Sequence, residues 1–115
     1  SLCEDLARAL VEQIRNHEEV LIVASSDLSH FHPAKEAEVL DTTIARHIEE
    51  FDIEGLSQDL EHGEGEACGG GPILAALLYA RALGRTTARV LRYAHSGHIT
   101  GDNTSVVGYL SAAVF

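Results

Sequence analysis

Methionine and tryptophan are absent from this chain of 115 residues, and proline occurs only twice. An apolar fraction of 45% excludes a disordered segment, and ten glycines without a three-residue period exclude a collagen-like one. No apolar run approaches the roughly 20 residues that a membrane-spanning helix needs, and no charged-then-apolar leader is visible, so neither a membrane nor export is expected. Positive charge is scarce: eight Lys and Arg stand against 18 Asp and Glu, for a formal net charge of −10. Such a chain repels phosphate backbones, which argues against a nucleic-acid partner. Cys3 and Cys68 are the two cysteines; they make no disulfide framework, and a reducing, cytoplasmic setting is expected. The missing methionine and a helical pattern that starts at Ser1 without a cap or strand before it suggest that residues 1–115 are the C-terminal portion of a longer domain. An apolar face left uncovered by such a division would favour self-association.

Histidine runs against this scarcity, with seven clustered copies. Around them the apolar periodicity is clear. Leu2, Leu6, Ala9, Leu10 and Ile14 recur at helical spacing, predicting an amphipathic helix to about His17. Val20 to Ala24 is a continuous apolar run that fits a strand buried on both faces. Pro33 suits the first turn of a helix whose stripe (Ala37, Leu40, Ile44, Ala45, Ile48) runs to about Glu50. A shorter helix is predicted between Phe51 and Leu60. A longer one starts at Cys68-Gly69-Gly70-Gly71-Pro72 and ends before Gly84, a plausible residue just past a helix C-terminus. Thr87–Ala94 and Ser105–Phe115 read as strands, antiparallel neighbours across the turn-rich segment His95–Thr104. The order implies an α/β fold, a mixed sheet flanked by helices.

Ligands of open α/β sheets sit beyond the carboxyl ends of strands, which draws attention to Asp27 and His30. A carboxylate three residues before an imidazole can orient it, act as a base or bind metal; equally, Asp27 and Ser29 can cap the turn that follows. His30-Phe31-His32 places two imidazoles on one face of an extended segment, with His32 expected toward solvent. Cys68 precedes three glycines and a helix start, where backbone N–H groups and the helix dipole favour a thiolate, a metal ligand or nucleophile; the alternative is a small cysteine packed beside a tight turn. Cys3 reads as packing. His17, His47 and His62 read as solvated, and His95 and His98 as the rim of a pocket or simply a turn. The Lys-Ser/Thr pair of a phosphate loop is missing, as are a nucleophile elbow and a Cys-x-x-Cys.

Four blocks then occur in order: Val-Ala-Ser-Ser-Asp-Leu-Ser-His (Val23–His30), Cys-Gly-x-x-Pro-Ile (Cys68–Ile73), Tyr-Ala-x-Ser-Gly (Tyr93–Gly97) and Gly-Asp-x-x-Ser-Val-Val-Gly-Tyr (Gly101–Tyr109). Together they resemble the Memo family, whose bacterial and archaeal members are named AmmeMemoRadiSam system protein B, over roughly its C-terminal two-fifths. The resemblance implies a fold similar to class III extradiol dioxygenases, and a pocket of its own in which two histidines from the N-terminal half join a cysteine to hold iron or copper. Only the cysteine maps here, onto Cys68; Asp27 and His30 match the residues that line the same pocket, with His30 in the acid–base position and Asp27 beside it as orienter or further ligand. A thiolate replaces the usual carboxylate of the 2-His-1-carboxylate triad, so extradiol cleavage does not follow automatically. The resemblance thus implies a metal-dependent oxidoreductase acting on an unknown small molecule. The alternative is a binding module with a vestigial pocket, because animal Memo proteins are linked to phosphorylated receptor tails. For a phosphopeptide, Arg81, Arg85, Arg89 and Arg92 are the cationic cluster. His95 and His98 stand where bacterial relatives are expected to carry other polar residues.

Overall fold

In the computed structural model, which describes residues 1–115, five helices pack around one three-stranded sheet. Helix α1 (Leu2–Gln13) corrects the expectation of an uncapped start. The Ser1 hydroxyl accepts the Glu4 N–H at 3.2 Å and the Glu4 carboxylate takes the terminal ammonium at 3.0 Å, a capping box closed by the first four residues. The helix ends at Gln13 rather than near His17, because Ile14 turns extended. His17 is not solvated as expected; it is half-buried, its Nδ1 2.6 Å from the Tyr79 hydroxyl.

Val20–Ala24 is the main departure from the sequence-based expectation. The run is extended but pairs with no strand, and Leu21 and Val23 are 85% and 77% exposed. An apolar run becomes a buried strand only where another edge supplies its N–H and C=O partners, and none of the strands in this chain does so. Instead the run lines an apolar groove of about 390 Å³ with Ile48, Ile73, Leu77 and Leu110.

The sheet is built from β1 (His30–His32), β2 (Ala88–His95) and β3 (Val106–Val114) in the order β1-β3-β2, antiparallel throughout. β2 and β3 pair as expected, from Ala88 opposite Val114 to His95 opposite Gly108. Helix α2 (Ala34–Glu49) begins directly after Pro33, α3 (Ile53–His62) is capped by the Asp52 carboxylate, and α4 (Gly70–Ala82) ends before Gly84, whose φ of 73° confirms its place just past the helix. The segment His95–Thr104, expected as a turn, contains a short helix α5 (Gly97–Thr100), and His95 itself is the last residue of β2. Leu28, Ile44, Ile48, Ile53, Leu56 and Leu77 form the core between α2, α3, α4 and the sheet. Each such side chain, removed from water, contributes about 1.5–3 kcal/mol before the entropy of ordering is subtracted.

Two buried polar contacts lock the layers together. The carboxylate of Asp41, on α2 and wholly buried, accepts the Ser29 N–H at 3.0 Å and the Tyr93 hydroxyl at 2.5 Å, tying the helix to both sides of β3. Only glycine fits at position 108, because a Cβ there would run into this carboxylate. His47, expected to be solvated, is buried at 7% exposure between α2 and α3. Its Nε2 is hydrogen-bonded to Asp59 and its Nδ1 lies 3.2 Å from the Asp52 carboxylate.

Candidate functional site

The polar segment after the Val20–Ala24 run crosses over the start of α4, and its backbone interlocks with the turn that carries Cys68. Cys68 N–H donates to the Asp27 carbonyl at 3.2 Å, and Asp27 N–H donates back to Cys68 Sγ at 3.3 Å. The Ser26 hydroxyl accepts the Gly69 N–H at 2.8 Å and lies 3.8 Å from the same sulfur. Glycine at 69 is what permits this approach, since a Cβ there would collide with the Ser25 carbonyl oxygen and the Ser26 side chain. Neither side chain caps the turn that follows: Ser29 Oγ has no hydrogen-bond partner and the Asp27 carboxylate bonds no backbone N–H there. Instead the Asp27 side chain turns to His30, with Oδ2 3.5 Å from Nε2, a charge contact at the long end of hydrogen-bond reach. Asp27 therefore touches both other candidates, Cys68 through its backbone and His30 through its carboxylate.

His30 and Cys68 line one open cleft of about 560 Å³, whose apolar walls include Leu28, Leu60 and Leu74. Glu66, from the acidic, glycine-rich stretch His62-Gly63-Glu64-Gly65-Glu66, also lines it and is a site residue that the sequence analysis does not single out. Its Oε1 accepts the His30 N–H at 3.3 Å and its Oε2 lies 2.8 Å from His32 Nε2. One carboxylate thus grips both ends of β1. Between them Phe31 adopts φ of 61°, a left-handed conformation uncommon outside glycine, at an irregularity in the β1–β3 register. Phe31 points outward, 77% exposed, while His30 and His32 are both half-buried. His32 is therefore held by Glu66, and 3.6 Å from Glu36, rather than free in solvent as expected.

The Glu66 hydrogen bond raises the His32 pKa above its ordinary 6.5, with burial opposing and the Glu66 and Glu36 charges assisting. Because the folded value lies above the unfolded one, this contact stabilises the β1 docking fully below about pH 6.5 and is lost as pH rises through the raised value. An NMR titration of the His32 ring should show a midpoint above that of a free histidine, returning toward it in Glu66→Gln. An unchanged midpoint in that variant would show that Glu66 does not hold the ring.

Cys3, half-buried, directs its thiol to the Gly71 carbonyl at 3.5 Å and so packs α1 on α4, as expected. Of the four arginines, Arg81 is taken by Glu54 at 3.0 Å, Arg85 borders the apolar groove, and Arg89 and Arg92 stand exposed on β2. Three-donor groups within 4.8 Å are Glu38–His95–His98 and His47–Glu50–Asp52; Cys68 belongs to neither. As a metal ligand Cys68 fits through its chemistry, a soft, exposed sulfur lining an open cleft.

The family model described as Memo-like protein matches residues 1–113. A MEMO1 family protein of Sulfolobus acidocaldarius is 38% identical over 112 residues, covering 93% of this chain and 39% of the relative. MEMO1 family proteins of Methanocaldococcus jannaschii (40% identical, 83% of this chain, 33% of the relative) and Methanosarcina mazei (39%, 82% and 35%) are similar to it as well. The chain thus spans between 33% and 39% of the length of these relatives. No helix is long and apolar enough to cross a membrane.

Proposed function

The chain belongs to the Memo-like protein family, and from that premise we propose that it supplies a thiolate ligand, Cys68, and an acid–base pair, Asp27 and His30, to a non-haem iron or copper pocket of an oxidoreductase. The observation that carries this reading is the double engagement of Asp27. Its N–H holds the Cys68 sulfur at 3.3 Å while its carboxylate stands 3.5 Å from the His30 imidazole, so one residue sets the spacing between ligand and proton carrier.

Bound iron or copper would polarise a coordinated substrate and carry the electron chemistry. The residues of this chain do the rest. Cys68 offers a soft sulfur donor on the lining of the cleft, with the Asp27 N–H fixing its direction. The Asp27 carboxylate favours an imidazole that carries its proton toward it, which leaves the other ring nitrogen of His30 for a substrate proton. Glu66 fixes the backbone of His30 through its N–H at 3.3 Å. The leucine walls suit a small, partly apolar molecule with one ionisable group, the arrangement common to small-molecule sites.

Elemental analysis tests this in the protein at the length of its curated relatives, purified without chelator and reconstituted anaerobically. Near-stoichiometric iron or copper is expected with Cys68 present, and at least a tenfold loss of occupancy in Cys68→Ala. His30→Gln should keep the metal, because its role is proton handling. Unchanged occupancy in Cys68→Ala removes the ligand assignment, and metal loss in His30→Gln would make His30 a ligand instead.

A further inference from the structure

Away from the Cys68 cleft, three other residues converge where α2, the end of β2 and α5 meet. Glu38 comes from α2, His95 is the last residue of β2, and His98 lies in α5. None of them lines the Cys68 cleft, and their donor atoms lie within 4.8 Å of one another. His95 is only 3% exposed, and its Nδ1 has no hydrogen-bond partner. Buried imidazoles ordinarily satisfy both ring nitrogens, so this one is short of a partner. Its Nε2 stands 3.3 Å from Glu38 Oε1. The His98 ring stacks on it with centroids 3.7 Å apart, and His98 Nδ1 accepts the His95 backbone N–H at 3.0 Å.

From this juxtaposition we infer that Glu38, His95 and His98 form a second cation site, selective for a borderline transition metal such as zinc and independent of Cys68. Two imidazoles and one carboxylate are the donor set such ions prefer, whereas calcium and magnesium require oxygen ligands throughout. The spacing also fits. Two donors about 2.0–2.1 Å from a tetrahedral zinc stand about 3.3–3.4 Å apart, by the geometry of those bond lengths. The His95–Glu38 separation already matches this. No donor to Nδ1 locks the tautomer of His95, so its proton can move to Nδ1 when Nε2 takes the cation. Closure requires one movement: the stack opens and His98 gives up the His95 N–H to turn a nitrogen inward. His98 is exposed, so its ring turns without disturbing the core, although the surrendered hydrogen bond weakens binding. Gly97 is confined here by its neighbours, since a Cβ would run into Asn103 Oδ1 and approach the His95 ring, so the loop itself is already fixed.

The test is calorimetric titration of the chain with zinc, and with cobalt(II) as a spectroscopic reporter. One equivalent should bind, with affinity at least tenfold weaker in Glu38→Gln and in His98→Ala, both exposed positions where folding is not at stake. Cys68→Ala and Glu50→Gln, both at exposed positions, should leave the affinity unchanged, and bound cobalt should show no thiolate-to-metal charge-transfer band. Equal affinity in Glu38→Gln and His98→Ala overturns the site. So does loss of binding in Cys68→Ala or Glu50→Gln, since the ion would then sit at the cleft cysteine or at the other three-donor group. The Cys68 assignment stands or falls separately, on metal content in Cys68→Ala at full length.

Discussion

Replacing Asp41 by alanine is expected to lower the unfolding free energy by about 2–6 kcal/mol, from two donors left unpaired at roughly 1–3 kcal/mol each. The Ser29 N–H belongs to a residue with no exposure, and the Tyr93 hydroxyl reaches the same carboxylate from β2. No other acceptor is bonded to either, so truncation strands both. Tyr93→Phe removes one donor together with its share of the carboxylate and should cost less. The Tyr93 phenol reports on the same contact. Burial, and after it the hydrogen bond and charge of Asp41, push its pKa far above the usual 10. A folded value raised this way means that the contact stabilises fully below about pH 10 and is lost only as pH rises beyond it. In Asp41→Ala, the ultraviolet titration of this phenol should move down while staying raised by burial. Urea unfolding followed by circular dichroism gives the stability change. A loss below about 1 kcal/mol would show that water reaches both donors.

Gly69→Ala should be the most damaging single methyl at the candidate site, destabilising by about 1–3 kcal/mol, the range for forcing an extra carbon into packed structure. The atom its Cβ meets first is the Ser25 carbonyl oxygen, which is backbone and cannot swing aside as a side chain would. Relief requires the two interlocked segments to part, which breaks the reciprocal Asp27–Cys68 bonds and the Gly69–Ser26 bond. Cys68 should then react several-fold faster with a disulfide reagent, measured with Cys3 replaced by serine so that one thiol reports. Gly71→Ala is the control. Its Cβ would meet only Cys3 Sγ at 3.9 Å, ordinary contact distance, and should change neither stability nor reactivity beyond about 0.5 kcal/mol. Equal effects of the two substitutions would mean that the Ser25–Ser26 crossing is not tight at Gly69.

Those two glycines show where sequence reasoning stops. The first and last copies of a three-glycine run look alike along the chain, and only the Ser25–Ser26 segment laid across one of them makes it irreplaceable. The same holds for Asp41 and Glu66. Asp41 falls at stripe spacing between Ala37 and Ile44, which marks its face but not its partners, and Glu66 sits in an acidic loop with nothing local to mark it as gripped. Their partners, Ser29, Tyr93, His30 and His32, come from other elements. His47 is missed for the same reason, since Asp52 and Asp59 come from the turn and helix that fold back on it.

Local signals were enough elsewhere. The proline before α2, the glycine after α4, the 3.6-residue stripe of α2 and the last two strands act through backbone sterics and periodic burial over a few residues, so composition and spacing determine them. So does the candidacy of Asp27, His30 and Cys68, whose residue types in those blocks mark the family. Tertiary structure decided what depends on partners distant in sequence: that Val20–Ala24 finds no ladder in this chain and stays extended, and that Asp27 bridges Cys68 and His30. It also decided that His95 is buried with an unpartnered nitrogen beside Glu38 and His98. A strand exists only when another edge completes its hydrogen bonds, and a site only when separate elements bring its donors within a few ångströms.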